Sequence, residues 1–228
     1  MIRRAVLFDL DGTLVDTAPD MGQALNRLRG ERKQPPLPLP TIRPYVSKGA
    51  AGLIGVGFPD TTDPTDVEAL RQRFLAIYAD HLCERSTVFP DMVPVLERIE
   101  ATAWHRWGIV TNKPQWLARP LLEALGLLSR AACLVCGDTL AKRKPHPDPL
   151  WHAAELIDIR PEHSVYVGDD RRDVIAGKAA GMLTVAAGWG YIPPKEPVVD
   201  WGAHTISPSP VHFDGWLSTT GWLDAADA

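Results

Sequence analysis

The chain has few cysteines, no long apolar run and no block of like charge. Three cysteines in 228 residues, Cys83, Cys133 and Cys136, form no even-numbered framework, so a disulfide-stapled secreted fold is excluded. Cys133 and Cys136 share a C-x-x-C spacing inside the apolar stretch ACLVCG. No second Cys or His pair has matching metal-ligand spacing, and they read as packing residues. The first apolar run breaks at Asp9, too early for a signal peptide. No segment approaches the apolar length of a membrane span. The expectation is a cytosolic protein with no membrane partner. A net charge of −4 gives no basis for nucleic-acid binding.

What is present is a repeating pattern. Short apolar, β-branched runs lie near residue 6 (RAVLFD), near 134 (ACLVCG) and near 185 (MLTVAAG) and end at Thr111 (RWGIVT) and Asp169 (SVYVGD), with a weaker run, AHTIS, near 205; amphipathic stretches cover 91–103, 115–126, 147–158 and 172–180. Continuous apolar strands alternating with helices predict a parallel sheet covered on both faces. The fold class is therefore α/β, a doubly wound Rossmann-like parallel sheet. The alternation fails between residues 17 and 85. Pro19 to Arg32 and Thr65 to Leu82 read as helices, and QPPLPLP between them forbids a regular helix or central strand. This part reads as an all-helical insert. The expected division is a core of 1–15 and 86–228, and a helical cap of 16–85.

The first strand runs into Asp9-Leu10-Asp11-Gly12-Thr13. Paired carboxylates at a strand mouth resist joint ionisation. Strand carboxyl ends converge in an open parallel sheet, which gathers Asp9, Asp11 and Asp169, with Asp170 or Asp173, near Thr111. Such a set of hard oxygens suits Mg²⁺, which would keep the pair ionised.

DLDGT, VTN, RKPHPDP and VGDDRRD, in this order, resemble the four motifs of the haloacid dehalogenase superfamily of phosphohydrolases. The resemblance spans nearly the whole chain. It implies Asp9 as nucleophile through an aspartyl-phosphate, and Asp11 as acid and then base. Thr111 would hold the phosphoryl oxygens and Lys144 would neutralise charge, Lys142 being the competing lysine. It implies Mg²⁺ bound by Asp9, the Leu10 carbonyl and Asp169, with Asp11 as a further candidate ligand and Asp170 or Asp173 holding metal waters or bracing the loop. Two readings stand for Asn112, a phosphate contact and a cap. Two stand for Lys48 in the SKGA loop of the insert, a contact to an anionic substrate group and an exposed lysine. Arg43 is a weaker candidate of the same kind. His146, between two prolines, reads as a loop residue.

Within the superfamily, the cap, VTNKP and GWGYIPP resemble bacterial phosphoglycolate phosphatases. GDDRRD, DWGAH and the SKGA loop resemble their relatives that act on N-acetylmuramic acid 6-phosphate. Asp11 argues against a haloalkanoate dehalogenase or a phosphonatase, and a phosphosugar mutase shares all four motifs. The implied partner is a small phosphorylated metabolite. Monomer and homodimer are both compatible, and an exposed set among Trp189, Trp201, Trp216 and Trp222 would make a dimer patch.

Overall fold

The computed structural model describes residues 3–102 and 104–223. The last residues of the expected C-terminal tail, 224–228, lie outside the described residues. In chain order the elements are β1 (Arg4–Phe8), β2 (Val15–Asp16), α1 (Ala18–Glu31), α2 (Leu39–Ile42), a 3₁₀ turn (Arg43–Lys48), α3 (Gly49–Gly57), α4 (Pro64–Asp80), β3 (Thr87–Val88), α5 (Met92–Glu100), β4 (His105–Val110), α6 (Gln115–Ala124), β5 (Leu134–Val135), α7 (Asp148–Leu156), β6 (Ser164–Gly168), α8 (Arg171–Ala179), β7 (Leu183–Ala187), β8 (Thr205–Ser207) and α9 (Pro210–Thr219).

Six strands form one sheet in the order β5-β4-β1-β6-β7-β8, and every pairing in it is parallel. β1 is buried from Ala5 to Phe8, because it has a strand on each side and apolar layers on both faces. One layer joins Val6, Phe8, Trp107, Ile109, Leu121 and Phe213; the other joins Leu7, Val110, Leu150, Ala153 and Tyr166. The chain winds outward from β1 through β4 to β5, then returns to the other side of β1 at β6. The order therefore reverses beside β1. In open sheets of this kind the crevice at the strands' carboxyl ends opens at that switch point. The six strands are those expected from the apolar runs.

Cys133 and Cys136 flank β5 and are buried, and burial pushes their thiols up to about 11 and about 12. They behave as packing residues. Of the four C-terminal tryptophans, Trp201 and Trp222 are buried, and Trp189 and Trp216 pack partly buried against the core.

Between β2 and β3 the chain is helical, as the lost alternation predicts. α1, α3 and α4 share a second apolar cluster built on Leu25, Leu28, Leu53, Ile54, Phe74 and Tyr78, with Leu117 of α6 and Tyr191 added from outside the segment. The chain enters and leaves this helical segment through the antiparallel β2–β3 ribbon, with Val15 opposite Val88 and Asp16 opposite Thr87. These two-residue strands were not visible in the sequence. Buried Asp20 on α1 ties the exit to the entry, accepting from the Arg85 N–H at 2.9 Å, the Ser86 N–H at 2.8 Å and the Ser86 hydroxyl at 2.6 Å.

Removing that carboxylate strands buried donors. Asp20→Ala is expected to destabilise the protein by about 1–3 kcal/mol, read from urea denaturation, and an unchanged midpoint would show that the junction draws nothing from these bonds.

Candidate active site

The site is assembled from the ends of three adjacent strands. β1 stops at Phe8, and the Asp9 N–H still donates to Val167 of β6 at 2.9 Å. The chain then turns through Gly12 at a φ of +86°. A Cβ on Gly12 would fall 2.1 Å from an Asp169 carboxylate oxygen, and one on Gly190 would fall 2.2 Å from the Asp169 Cβ. Glycine is required at both positions for the backbone to come this close.

Lys144, from the loop before α7, reaches the centre. Its buried ammonium lies 2.9 Å from Asp9 Oδ1 and 2.8 Å from Asp173 Oδ1. It also donates to the Val110 carbonyl at 2.9 Å and the Tyr166 hydroxyl at 2.7 Å. Burial alone would lower its pKa, and the Asp173 and Asp9 carboxylates raise it instead. The competing Lys142 is exposed and paired with Asp148.

Asp173 has a second task. Its Oδ2 accepts from the Asp170 N–H at 3.0 Å while Asp170 Oδ1 accepts from the Arg172 N–H at 2.9 Å, a reciprocal capping box at the start of α8. The run DDRRD is thus both a helix start and a site wall.

Asp169 is fully buried and, among the described residues, accepts from neutral donors only: the Thr13 hydroxyl at 3.2 Å, the Ser47 hydroxyl at 2.7 Å and the Tyr191 N–H at 2.8 Å. Burial, then Asp9 and Asp173, push its carboxyl well above the usual range. Asp9 is pushed up to about 6 by burial, against the pull of Lys144. Oxygens of Asp9, Asp169 and Asp173 all lie within 4.8 Å of one another. One ammonium cannot neutralise three buried carboxylates, and this hard-oxygen cluster fits a small divalent cation.

Asp11 points elsewhere. Its Oδ1 accepts from the Thr17 hydroxyl at 2.7 Å and from the Lys113 ammonium at 3.0 Å. The buried Lys113 also donates to the Tyr78 hydroxyl of α4 at 3.1 Å and lies 4.6 Å over that ring. Thr111 is buried and its Oγ1 accepts from the Lys113 N–H at 3.1 Å. Asn112 caps no helix among the described residues: its side chain donates to the Lys144 carbonyl at 3.0 Å and holds that loop against the end of β4. Lys48 pairs with Glu196 at 2.7 Å and Asp170 at 3.0 Å, and Arg43 pairs with Asp16 and lies over Tyr191. His146 is exposed in its loop.

These groups surround a cavity of about 580 Å³, floored by Asp9, Thr111, Lys113 and Lys144 and roofed by Val46–Ala51 and by Arg71, Leu75 and Tyr78 of α4. Sequence reasoning missed Lys113, Tyr78 and Ser47 as site residues. Lys113 had a signal, since it directly follows Thr111 and Asn112. Tyr78 and Ser47 had none, because they come from another part of the chain.

A haloacid dehalogenase-like hydrolase family model matches residues 6–187. The chain belongs to that family. A phosphoglycolate phosphatase of Xanthomonas campestris is 46% identical over 207 residues, 91% of this chain and 93% of that protein. An N-acetylmuramic acid 6-phosphate phosphatase of Pseudomonas aeruginosa is 39% identical over 207 residues, 91% of each chain. The crystal structure of a predicted phosphoglycolate phosphatase from Haemophilus somnus superposes with a TM-score of 0.82 at 25% identity, over 96% of this chain and 98% of that one. This haloacid dehalogenase-like hydrolase is a phosphatase by its relatives.

The raised Asp9 sets a pH dependence in the metal-free protein. A carboxyl whose native pKa exceeds its unfolded value contributes most below that unfolded value, 3.8, and the contribution is lost as pH rises through about 6. Asp9→Asn is expected to gain stability over the parent at pH 7.5, on the order of 1–3 kcal/mol, and little at pH 4.5. Urea denaturation in chelator at both pH values checks this, and an equal difference at the two would contradict it.

Proposed function

We propose that this chain is a Mg²⁺-dependent phosphomonoester hydrolase of the phosphoglycolate phosphatase type, acting through a phosphoryl intermediate on Asp9. The observation that carries the reading is Lys144 bridging Asp9 and Asp173 beside Asp169, at the base of a cavity roofed by the helical segment.

In this reading residues 1–15 and 86–228 are the core and 16–85 the cap. Lys144 holds Asp9 by one carboxylate oxygen, leaving the other to attack phosphorus. Thr111 and nearby backbone N–H groups receive the phosphoryl oxygens. Asp11, oriented by Thr17 and Lys113, gives its proton to the leaving oxygen. It then takes a proton from the water that attacks the same phosphorus, freeing Asp9 and phosphate. Asp9 and Asp169 would hold Mg²⁺, with Asp173 as a further candidate, and the metal would supply charge neutralisation for the phosphoryl group. The Leu10 carbonyl, expected as a ligand, is taken up by the Leu14 and Val15 N–H groups at 3.1 and 2.9 Å, and the Asp11 side chain by Thr17 and Lys113. Asn112 keeps Lys144 in place, and Lys48 bridges cap to core. The cap excludes water and meets the alcohol part of the substrate.

A second reading is a phosphatase of N-acetylmuramic acid 6-phosphate. The cavity volume favours it, since about 580 Å³ exceeds what a two-carbon phosphate fills, and the Pseudomonas aeruginosa relative bears that name. A phosphosugar mutase is the remaining alternative, separable by product analysis.

The test is phosphate release with and without Mg²⁺, comparing kcat/KM on 2-phosphoglycolate and N-acetylmuramic acid 6-phosphate. A hundredfold preference is about 2.7 kcal/mol of transition-state discrimination and names the substrate. Chelation is expected to silence turnover and Mg²⁺ to restore it. Asp9→Asn is expected to lose at least about four orders of magnitude, or about 5.5 kcal/mol, with an unchanged fold by circular dichroism. Substantial turnover by that variant would refute the nucleophile assignment.

A further inference from the structure

Ser47 belongs to the 3₁₀ turn of the helical segment, yet its hydroxyl reaches the floor of the cavity. It donates to Asp169 Oδ2 at 2.7 Å and lies 3.2 Å from the Asp11 carbonyl. Three further contacts hold the turn in place. The Arg172 guanidinium donates to the Ser47 carbonyl at 2.6 Å, and the Lys48 ammonium reaches Asp170 at 3.0 Å and Glu196 at 2.7 Å.

The two oxygens of Asp169 are served unequally. Oδ2 accepts from the Ser47 hydroxyl and from the Tyr191 N–H at 2.8 Å, one donor for each lone pair. Backbone also closes around this oxygen: a Cβ on Gly12 would fall 2.1 Å from it, and one on Gly190 2.6 Å. No cation has room there. Oδ1 has one partner among the described residues, the Thr13 hydroxyl at 3.2 Å, which is long for a bond between two oxygens. Oδ1 therefore keeps a lone pair for a cation, and it faces the same cluster as Asp9 and Asp173. Donors on the far oxygen of a carboxylate set how the near one is presented to a metal. Of the two donors on Oδ2, the Tyr191 amide comes from the sheet domain itself. The Ser47 hydroxyl arrives only with the helical segment.

We propose that Ser47 is a positioning residue for the divalent cation: its hydroxyl pins Asp169 Oδ2 so that Oδ1 is presented to the metal, and the cation binds more tightly with the helical segment seated. This inference rests on the metal site of the reading above. The coupling is reciprocal: the affinity that the seated turn adds for the cation returns as stability of the seated turn once the cation is bound.

The experiment uses the full chain, stripped of metal and without substrate. Mg²⁺ is titrated in, and its Kd is read by calorimetry and from the Mg²⁺-dependent rise in Tm. Ser47→Ala, checked for an unchanged fold by circular dichroism, is expected to weaken Mg²⁺ binding about tenfold, the lower end of what outer hydrogen bonds to metal ligands contribute. Ser47→Thr keeps the hydroxyl and is expected to recover most of that loss. Hydrogen exchange reads the reciprocal effect: saturating Mg²⁺ is expected to slow the amides of residues 45–52 in the wild type and to slow them far less in Ser47→Ala. An unchanged Kd in Ser47→Ala overturns the assignment. So does a tighter one, because the hydroxyl would then stand in the cation's place. Ser47→Thr binding as weakly as Ser47→Ala overturns it by placing the loss in the fit of the turn. Exchange at 45–52 that ignores Mg²⁺ in the wild type, or slows equally in both proteins, overturns the coupling. A wild type that releases phosphate with Mg²⁺ while Ser47→Ala keeps the wild-type Kd refutes this inference alone. A wild type that binds no Mg²⁺ refutes the metal site of the proposed function, and this inference with it.

Discussion

The Lys144 ammonium is the interaction on which the rest of the site depends. It is buried, and it touches the chain at four places: Asp9 after β1, Val110 at the end of β4, Tyr166 within β6 and Asp173 on α8. These are the segments whose ends meet where the strand order reverses. Removing one partner of a buried ion pair leaves an uncompensated charge, which costs far more than the pair is worth. Here the lysine serves two carboxylates at once, so the cost would fall on both. Even with Lys144 present, Asp9 remains pushed up to about 6. The site is under-neutralised by design of its geometry, and it stores stability cost where charge must later be received.

The helical segment meets this centre largely through polar contacts. Ser47 donates to Asp169, the Arg172 guanidinium donates to the Ser47 carbonyl at 2.6 Å, Lys48 spans Asp170 and Glu196, and Tyr78 accepts from Lys113. Leu117 and Tyr191 add apolar contacts. A polar interface costs less to separate than an apolar one, because water satisfies the groups released. At the junction, by contrast, buried Asp20 ties the exit to the entry beside the two-residue ribbon. The segment is therefore held at its root by buried hydrogen bonds and over the cavity by polar contacts.

The sheet was legible in the sequence because a parallel strand buried on both faces leaves a continuous apolar run that nothing else in a short segment explains. Asp9, Thr111, Lys144 and Asp169 were legible because strand ends converge and four motifs occurred in order. Other features left no such trace. β2 and β3 have two residues each and no room for periodicity. Tyr78 continues the helical spacing of α4 and looks like core, which it also is. Its hydroxyl meets the Lys113 ammonium only because the chain after β4 brings that residue under α4. Ser47 reaches Asp169 across 122 residues, a contact set by how the helical segment folds back over the sheet, and no local pattern encodes it.

Asp169 and Asp170 show how finely that tertiary placement acts. They are the same residue type at adjacent positions, and both are buried. Asp169 meets only neutral donors and is pushed well above the usual carboxylate range, burial being the largest cause. Burial pushes Asp170 the same way, but Arg172 and Lys48 reverse it and hold its carboxyl down at about 2. One peptide bond separates a carboxylate that is left wanting a cation from one that is already saturated. The difference lies in where Arg172 and the SKGA loop stand, not in the acids themselves. Asp170 is thereby available to anchor Lys48 and the helical segment, while Asp169, its neighbour, stays open to a divalent ion.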